Sequence, residues 1–269
     1  MVLALVVSLL AGLATSLGGM LALRGPHPSR ASLAVALAFA AGAMVLISLV
    51  QIIPLGIEYM QSTGATERGS FTVVWVSFFV GIGLVLAIDR FLPEPLNPGE
   101  MTGAEVDITL EDARITRNVM RSGVLTAAVL ALHNFPEGMA TFFTTYQDPQ
   151  VGLTLAIAIA IHNVPEGIAV AAPVYAATGS KQKAFWWATL SGLTEPLGGL
   201  FAALMVGFVI PPQFFGIFYG MVAGMMVFLA LDELLPGSWR YQTDKHQTIY
   251  GMVGGMAVMA LSLVLFAAA

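Results

Sequence analysis

Apolar runs of about the 20 residues a helix needs to cross a bilayer follow one another along nearly the whole chain, with only short polar breaks between them. In lipid every backbone N–H and C=O must be satisfied within the spanning structure. The pattern therefore predicts an all-α polytopic membrane protein, a single transmembrane domain over 1–269. The predicted spans are 1–23, 32–60, 71–90, 119–143, 151–177, 184–210, 213–236 and 248–268, which makes eight helices. The stretch 1–23 lacks the basic start of a signal peptide and is long enough to span, so it reads as the first helix.

The basic residues fix the orientation. With the N-terminus outside, Arg24, Arg30, Arg90, Arg114, Arg117, Arg121, Lys181, Lys183, Arg240 and Lys245 all fall inside, and only Arg68 falls outside. Cytoplasmic loops carry this excess of Lys and Arg. Both termini are expected to be extracytoplasmic. The longest break, 91–118, is predicted to be a solvated cytoplasmic loop; it holds no His or Cys, which weakens any metal-sensing reading.

Composition agrees and excludes several function classes. Only 10% of residues are charged, whereas soluble domains carry about 25%. A net charge of −5 with 11 Lys+Arg argues against nucleic acid as a partner. The absence of Cys excludes disulfides, thiolate metal sites and thiol catalysis.

Two segments echo others. HNFPEGMAT at 133–141 matches HNVPEGIAV at 162–170, and SLVQIIP at 48–54 matches LDELLP at 231–236, with Gln51 opposite Glu233 and Pro54 opposite Pro236. By the span count each pair lies on helices of opposite direction, the pattern of inverted repeats around a midplane site.

The doubled motif carries the chemistry. On a helix, residues four apart share a face, so His133 points with Glu137 and His162 with Glu166, Asn134 and Asn163 standing beside them. The connection 144–150 is short, which places both motifs at one depth. Pro136 and Pro165 cannot donate to the carbonyls of Leu132 and Ile161, so each helix is expected to bend there. Glu195, in SGLTEPLGG, adds a third acid inside an apolar stretch, and no Lys or Arg lies in these stretches. One such acid costs about 2.5–3.5 kcal/mol at a helix centre on insertion scales. Protons or a cation must offset three of them. Imidazoles, carboxylates and amides without sulfur suit Zn²⁺, and less selectively Fe²⁺, Mn²⁺, Co²⁺ or Cd²⁺. The plainer reading, core histidines with hydrogen-bonded acids, fits a lone His better than a motif that occurs twice.

Other residues are less informative. Asp89, Asp232, Glu233 and Glu58 read as interfacial charges at span ends, and His27 and His246 as solvated loop residues. Gly216, Gly220 and Gly224 form a stripe that serves equally well for packing within the bundle or for a dimer seam.

With HNFPEG, HNVPEG, SGLTEPLGG and the eight-span plan together, the chain resembles the ZIP (Zrt-, Irt-like) metal transporters, and within them the bacterial ZupT type. The resemblance covers nearly the whole chain. It implies a non-enzymatic carrier in a bacterial inner membrane that imports divalent cations, zinc above all, as substrate rather than cofactor. It implies a binuclear site in which His133, Glu137, His162, Glu166 and Glu195 resemble the first metal's ligands. Asn134, Glu137, Asn163 and Glu166 resemble the second's, the two glutamates bridging. It also implies sliding of a helix group that includes spans 4 and 5 against another, and a possible homodimer. Two departures are the missing His-rich loop between spans 3 and 4 and Gln51 where relatives often carry an acid. An intramembrane metallohydrolase is the main competing reading, but HExxH is absent. A metal-gated channel is a third.

Overall fold

The computed structural model describes residues 1–24, 29–91, 131, 133–206, 208 and 210–267, and among them every regular element is helical. These elements are α1 (Val2–Ala22), α2 (Arg30–Ser62), α3 (Glu67–Phe91), α4 (133–147), α5 (Pro149–Thr178), α6 (Lys181–Gly192), α7 (Thr194–Met205), α8 (Pro212–Tyr241) and α9 (Gln247–Ala267). Six of them (α1, α2, α3, α5, α8 and α9) are long and apolar enough to cross a membrane. The other two predicted spans differ for identifiable reasons. Most of 119–132, the start of predicted span 4, lies outside the described residues, as do His27, nearly all of the 91–118 loop and Leu132. Predicted span 6 is broken at Leu193 into two helices of 12 residues each.

Helix ends follow from local chemistry. Asp148 caps α5, accepting from the N–H groups of Gln150 at 2.9 Å and Val151 at 3.1 Å, and Pro149 supplies a ready first helical residue. Gly179 closes α5 in the left-handed conformation (φ 61°), its N–H donating to the Tyr175 carbonyl. Ser180 then caps α6 through the Lys183 N–H. The break at Leu193 comes from Pro196, whose ring rejects the Gly192 carbonyl four residues back.

The echo between 48–54 and 231–236 proves to be structural. Ser48–Ile52 in α2 and Ala230–Leu234 in α8 each form a π turn, and in each a proline follows after one intervening residue. The N–H of Ile53 reaches back to the Ser48 carbonyl and that of Leu235 to the Ala230 carbonyl, five residues away. Widening the turn moves the carbonyls of Val50 and Asp232 off the proline rings. By contrast α5 runs unbroken through Pro165.

Packing divides the helices into two groups. One comprises α1, α4, α5, α6 and α7, and the other α2, α3, α8 and α9; α5 meets both α2 and α9 where the groups join. Glycines set the closest approaches. In the first group a Cβ on Gly18 would collide with the Val164 carbonyl, and one on Gly198 with that of Phe135. Likewise Gly167 lies against the Thr15 carbonyl, Gly138 against that of Glu195, and Gly12 and Gly192 against each other's. In the second group Gly42 lies on Met252 of α9, and Gly224 on Phe78 of α3. The stripe of Gly216, Gly220 and Gly224 is therefore occupied within the chain, by Met60 of α2 and by Val74 and Phe78 of α3.

Candidate metal site

All seven residues singled out by the sequence (His133, Asn134, Glu137, His162, Asn163, Glu166 and Glu195) are buried, none more than 4% exposed. α4 and α5 contribute one HNxPEG motif each, and the break at Leu193 puts Glu195 in the first turn of α7.

The imidazoles and glutamates pair across the helices rather than along them. His133 Nε2 lies 3.3 Å from Glu166 Oε1, and His162 Nε2 lies 3.6 Å from Glu137 Oε2. Spacing within each motif put His133 with Glu137 on one face; packing brings each histidine to the other helix's acid. His162 Nδ1 lies 3.2 Å from the Ala158 carbonyl, which can only accept, so Nδ1 carries the proton. Its Nε2 faces the Glu137 carboxylate, an arrangement completed by a proton or a cation between them.

The asparagines and Glu195 form the neighbouring part. Asn163 Nδ2 donates to Glu195 Oε2 at 2.7 Å and to the Ala11 carbonyl at 3.0 Å. Asn134 Nδ2 donates to the Ser191 carbonyl at 3.3 Å. Backbone carbonyls accept only, so both amides are oriented with Oδ1 outward. Among the described residues seven acceptor atoms here are buried with no donor: Glu137 Oε1 and Oε2, Glu166 Oε2, Glu195 Oε1, His162 Nε2 and the two asparagine Oδ1 atoms. Buried acceptors normally have partners, and a positively charged guest would supply what this concentration lacks. As the side chains stand, no three His, Asp or Glu among the described residues converge tightly enough to share one ion.

Sequence reasoning passed over two hydroxyls. Thr141, one turn beyond Glu137 on the same face of α4, and Thr15 of α1 are buried, and neither hydroxyl has a partner among the described residues. Periodicity from Glu137 could have found the first. Aromatic residues gather at the end of the bundle where α4 meets α5. Phe143 of α4 packs edge-on against Phe215 of α8 at 5.2 Å, Tyr59 of α2 stacks on Tyr219 at 5.5 Å, and Thr144 and Tyr219 share a 2.8 Å hydrogen bond.

Comparison with known proteins places the chain in a family. Residues 107–263 match the family model described as ZIP Zinc transporter. The zinc transporter ZupT of Corynebacterium aurimucosum is 46% identical over 258 residues, covering 96% of this chain and 95% of that protein. That of Corynebacterium glutamicum is 46% identical over 260 residues (96% and 97% covered), and that of Streptococcus mutans 42% over 263 residues (98% and 97%). Similarity of this degree along the full length, on a chain with six membrane-length apolar helices, leaves one assignment: a multi-pass membrane protein that belongs to the ZIP zinc transporter family.

Proposed function

We propose that this chain carries zinc across a bacterial inner membrane into the cytoplasm, and that the cation passes the crossed pairs His133–Glu166 and His162–Glu137. The observation that carries this reading is the set of seven buried acceptors with no donor. Two imidazoles, three carboxylates and two amide oxygens replace the waters a divalent cation gives up on leaving solution. With no sulfur among them, Fe²⁺, Mn²⁺, Co²⁺ and Cd²⁺ are the other candidate substrates.

The site is binuclear in this reading. One cation takes His133, His162, Glu137 and Glu166; the second takes Asn134 and Asn163, with the glutamates bridging. Glu195 contacts Asn163, so we assign it to the second cation. The carrier has eight spans with both termini extracytoplasmic. Arg30 reaching the Arg240 carbonyl and Lys181 reaching that of Leu23 gather basic residues at the ends this orientation makes cytoplasmic. Spans 1–3 and 6–8 form inverted repeats. Support comes from the paired π turns, the crossed motifs, and the glycine contacts of α1 on α5 that recur between α7 and α4. Access alternates as the group holding α4 and α5 slides against the group of α2, α3, α8 and α9.

The test is zinc entry into proteoliposomes loaded with a zinc-sensitive dye, wild type against Glu166→Ala. Saturable entry abolished by the substitution is expected. Folded wild-type protein that retains zinc but admits none would sink the carrier reading, and flux that does not saturate would mean a channel.

A further inference from the structure

We infer that Thr15 supplies a neutral oxygen to the Asn134 side of the metal site, in the position that Glu195 occupies on the Asn163 side. The inference rests on the proposed passage of the cation between these residues.

A third echo in the chain locates the pair. AGLATSLGG at 11–19 aligns with SGLTEPLGG at 191–199: Gly12, Leu13, Leu17, Gly18 and Gly19 recur as Gly192, Leu193, Leu197, Gly198 and Gly199, and Thr15 falls opposite Glu195. Contacts keep the same register. Asn163 donates to the carbonyl of Ala11, and Asn134 to that of Ser191, the residue opposite Ala11. Gly167 abuts the Thr15 backbone as Gly138 abuts that of Glu195, and Gly12 and Gly192 meet each other. The Glu195 side chain continues from this frame to Asn163. The Thr15 side chain starts from the equivalent point on the other side.

The Thr15 hydroxyl does not take the partner usual for a helical threonine. Thr72, Thr144, Thr145, Thr154 and Thr178 each donate to the carbonyl four residues back in their own helix, at 2.7 to 3.0 Å. For Thr15 that carbonyl is Ala11, which receives the Asn163 amide instead. The residue is fully buried and its Oγ1 has no partner among the described residues. Oγ1 stands beside Gly192, 3.1 Å from where a Cβ would be, and Gly192 follows Ser191, whose carbonyl holds Asn134. Thr141 and Thr189 also leave hydroxyls unpartnered, but neither stands opposite an acid. A hydroxyl offers lone pairs without charge. The two sides of the site are therefore alike in shape and unequal in charge, with a carboxylate at Glu195 and an alcohol at Thr15.

The test compares Thr15→Val, which keeps the shape and removes the oxygen, with Thr15→Ser, which keeps the oxygen. Both are reconstituted beside wild type and Glu166→Ala for zinc uptake, and zinc binding to each purified protein is measured by calorimetry. Thr15→Val should raise half-saturating zinc about fivefold, the loss of one neutral polar contact, with maximal rate near wild type. Thr15→Ser should restore the wild-type value. A packing role alone predicts the reverse: Val silent, and Ser lowering thermal stability. Wild-type half-saturation in Thr15→Val with Glu166→Ala inactive overturns the role of Thr15 and leaves the site standing. Undiminished uptake in Glu166→Ala overturns the site itself. Should Thr15→Val not fold, Thr15→Ala carries the same comparison against Thr15→Ser.

Discussion

Glu137 and Glu166 each face the imidazole of the other motif helix, so neither HNxPEG segment is a ligand set by itself. Removing His133 or Glu166 leaves its buried partner without its counterpart, and the two losses should overlap. The double substitution His133→Ala/Glu166→Ala is expected to impair zinc uptake little more than the worse single one, and each single one at least about tenfold. Additive losses in that double-mutant cycle would mean the residues act apart. The motifs themselves were legible in the sequence because spacing and proline position are local. The crossing of the pairs was not, since only the packing of α4 on α5 decides which acid an imidazole meets. Thr15 was legible in principle, through AGLATSLGG and SGLTEPLGG, but its meaning depends on Glu195 being known to reach Asn163. Gly167 offers a stability test at this scale. A methyl there meets the Thr15 carbonyl, whereas Gly83 has open space around it. Gly167→Ala should destabilise the protein by about 1–3 kcal/mol, read as a lower melting temperature in detergent, and Gly83→Ala should not.

Among the elements, α2 and α8 are the ones whose continuity is deceptive. Hydropathy reads each as one long span, as it is, and the repeated proline signals that something recurs. What the sequence does not announce is the inserted residue in each π turn, because a π turn and a proline kink look alike in composition. A π turn amounts to one extra residue in an α-helix. Deleting Val50, within the π turn of α2, should therefore leave both flanking halves in register and yield folded, monodisperse protein. Deleting Ala40, in regular helix, rotates everything beyond it by about 100° and should abolish folding. Equal yields of the two in size-exclusion chromatography would show that the π turn is not an insertion. The break in span 6 was masked differently: an apolar stretch reads as continuous, and hydropathy does not register that Pro196 turns away the Gly192 carbonyl.

For the whole molecule the telling feature is how the two helix groups meet. Met44 and Ile47 of α2 and Leu155 and Ile159 of α5 belong to one apolar core cluster, while Thr144 and Tyr219 join α4 to α8 near the α4–α5 connection. Tyr219→Phe removes that hydrogen bond but keeps the ring stack on Tyr59. It is expected to speed zinc uptake while lowering thermal stability by about 0.5–1.5 kcal/mol; unchanged rates would mean that the bond does not restrain α4 against α8. The helices also differ greatly in length. α1 and α9 have 21 residues each, close to a bilayer's reach, whereas the span from Arg30 to Ser62 has 33. At 1.5 Å per residue that helix is roughly 50 Å long, well beyond a hydrocarbon core of about 30 Å. Short and long helices stand side by side within each group, α1 with the 30-residue α5 and α9 with α2, so neither group has one length to match to the lipid. Such unequal lengths are accommodated by tilting the long helices or by locally thinning or thickening the bilayer, at a cost of fractions of a kcal/mol per Å. Transport by such a protein is a dialogue with its lipids, and vesicles made from successively longer acyl chains should show zinc flux rising to an optimum and falling on either side.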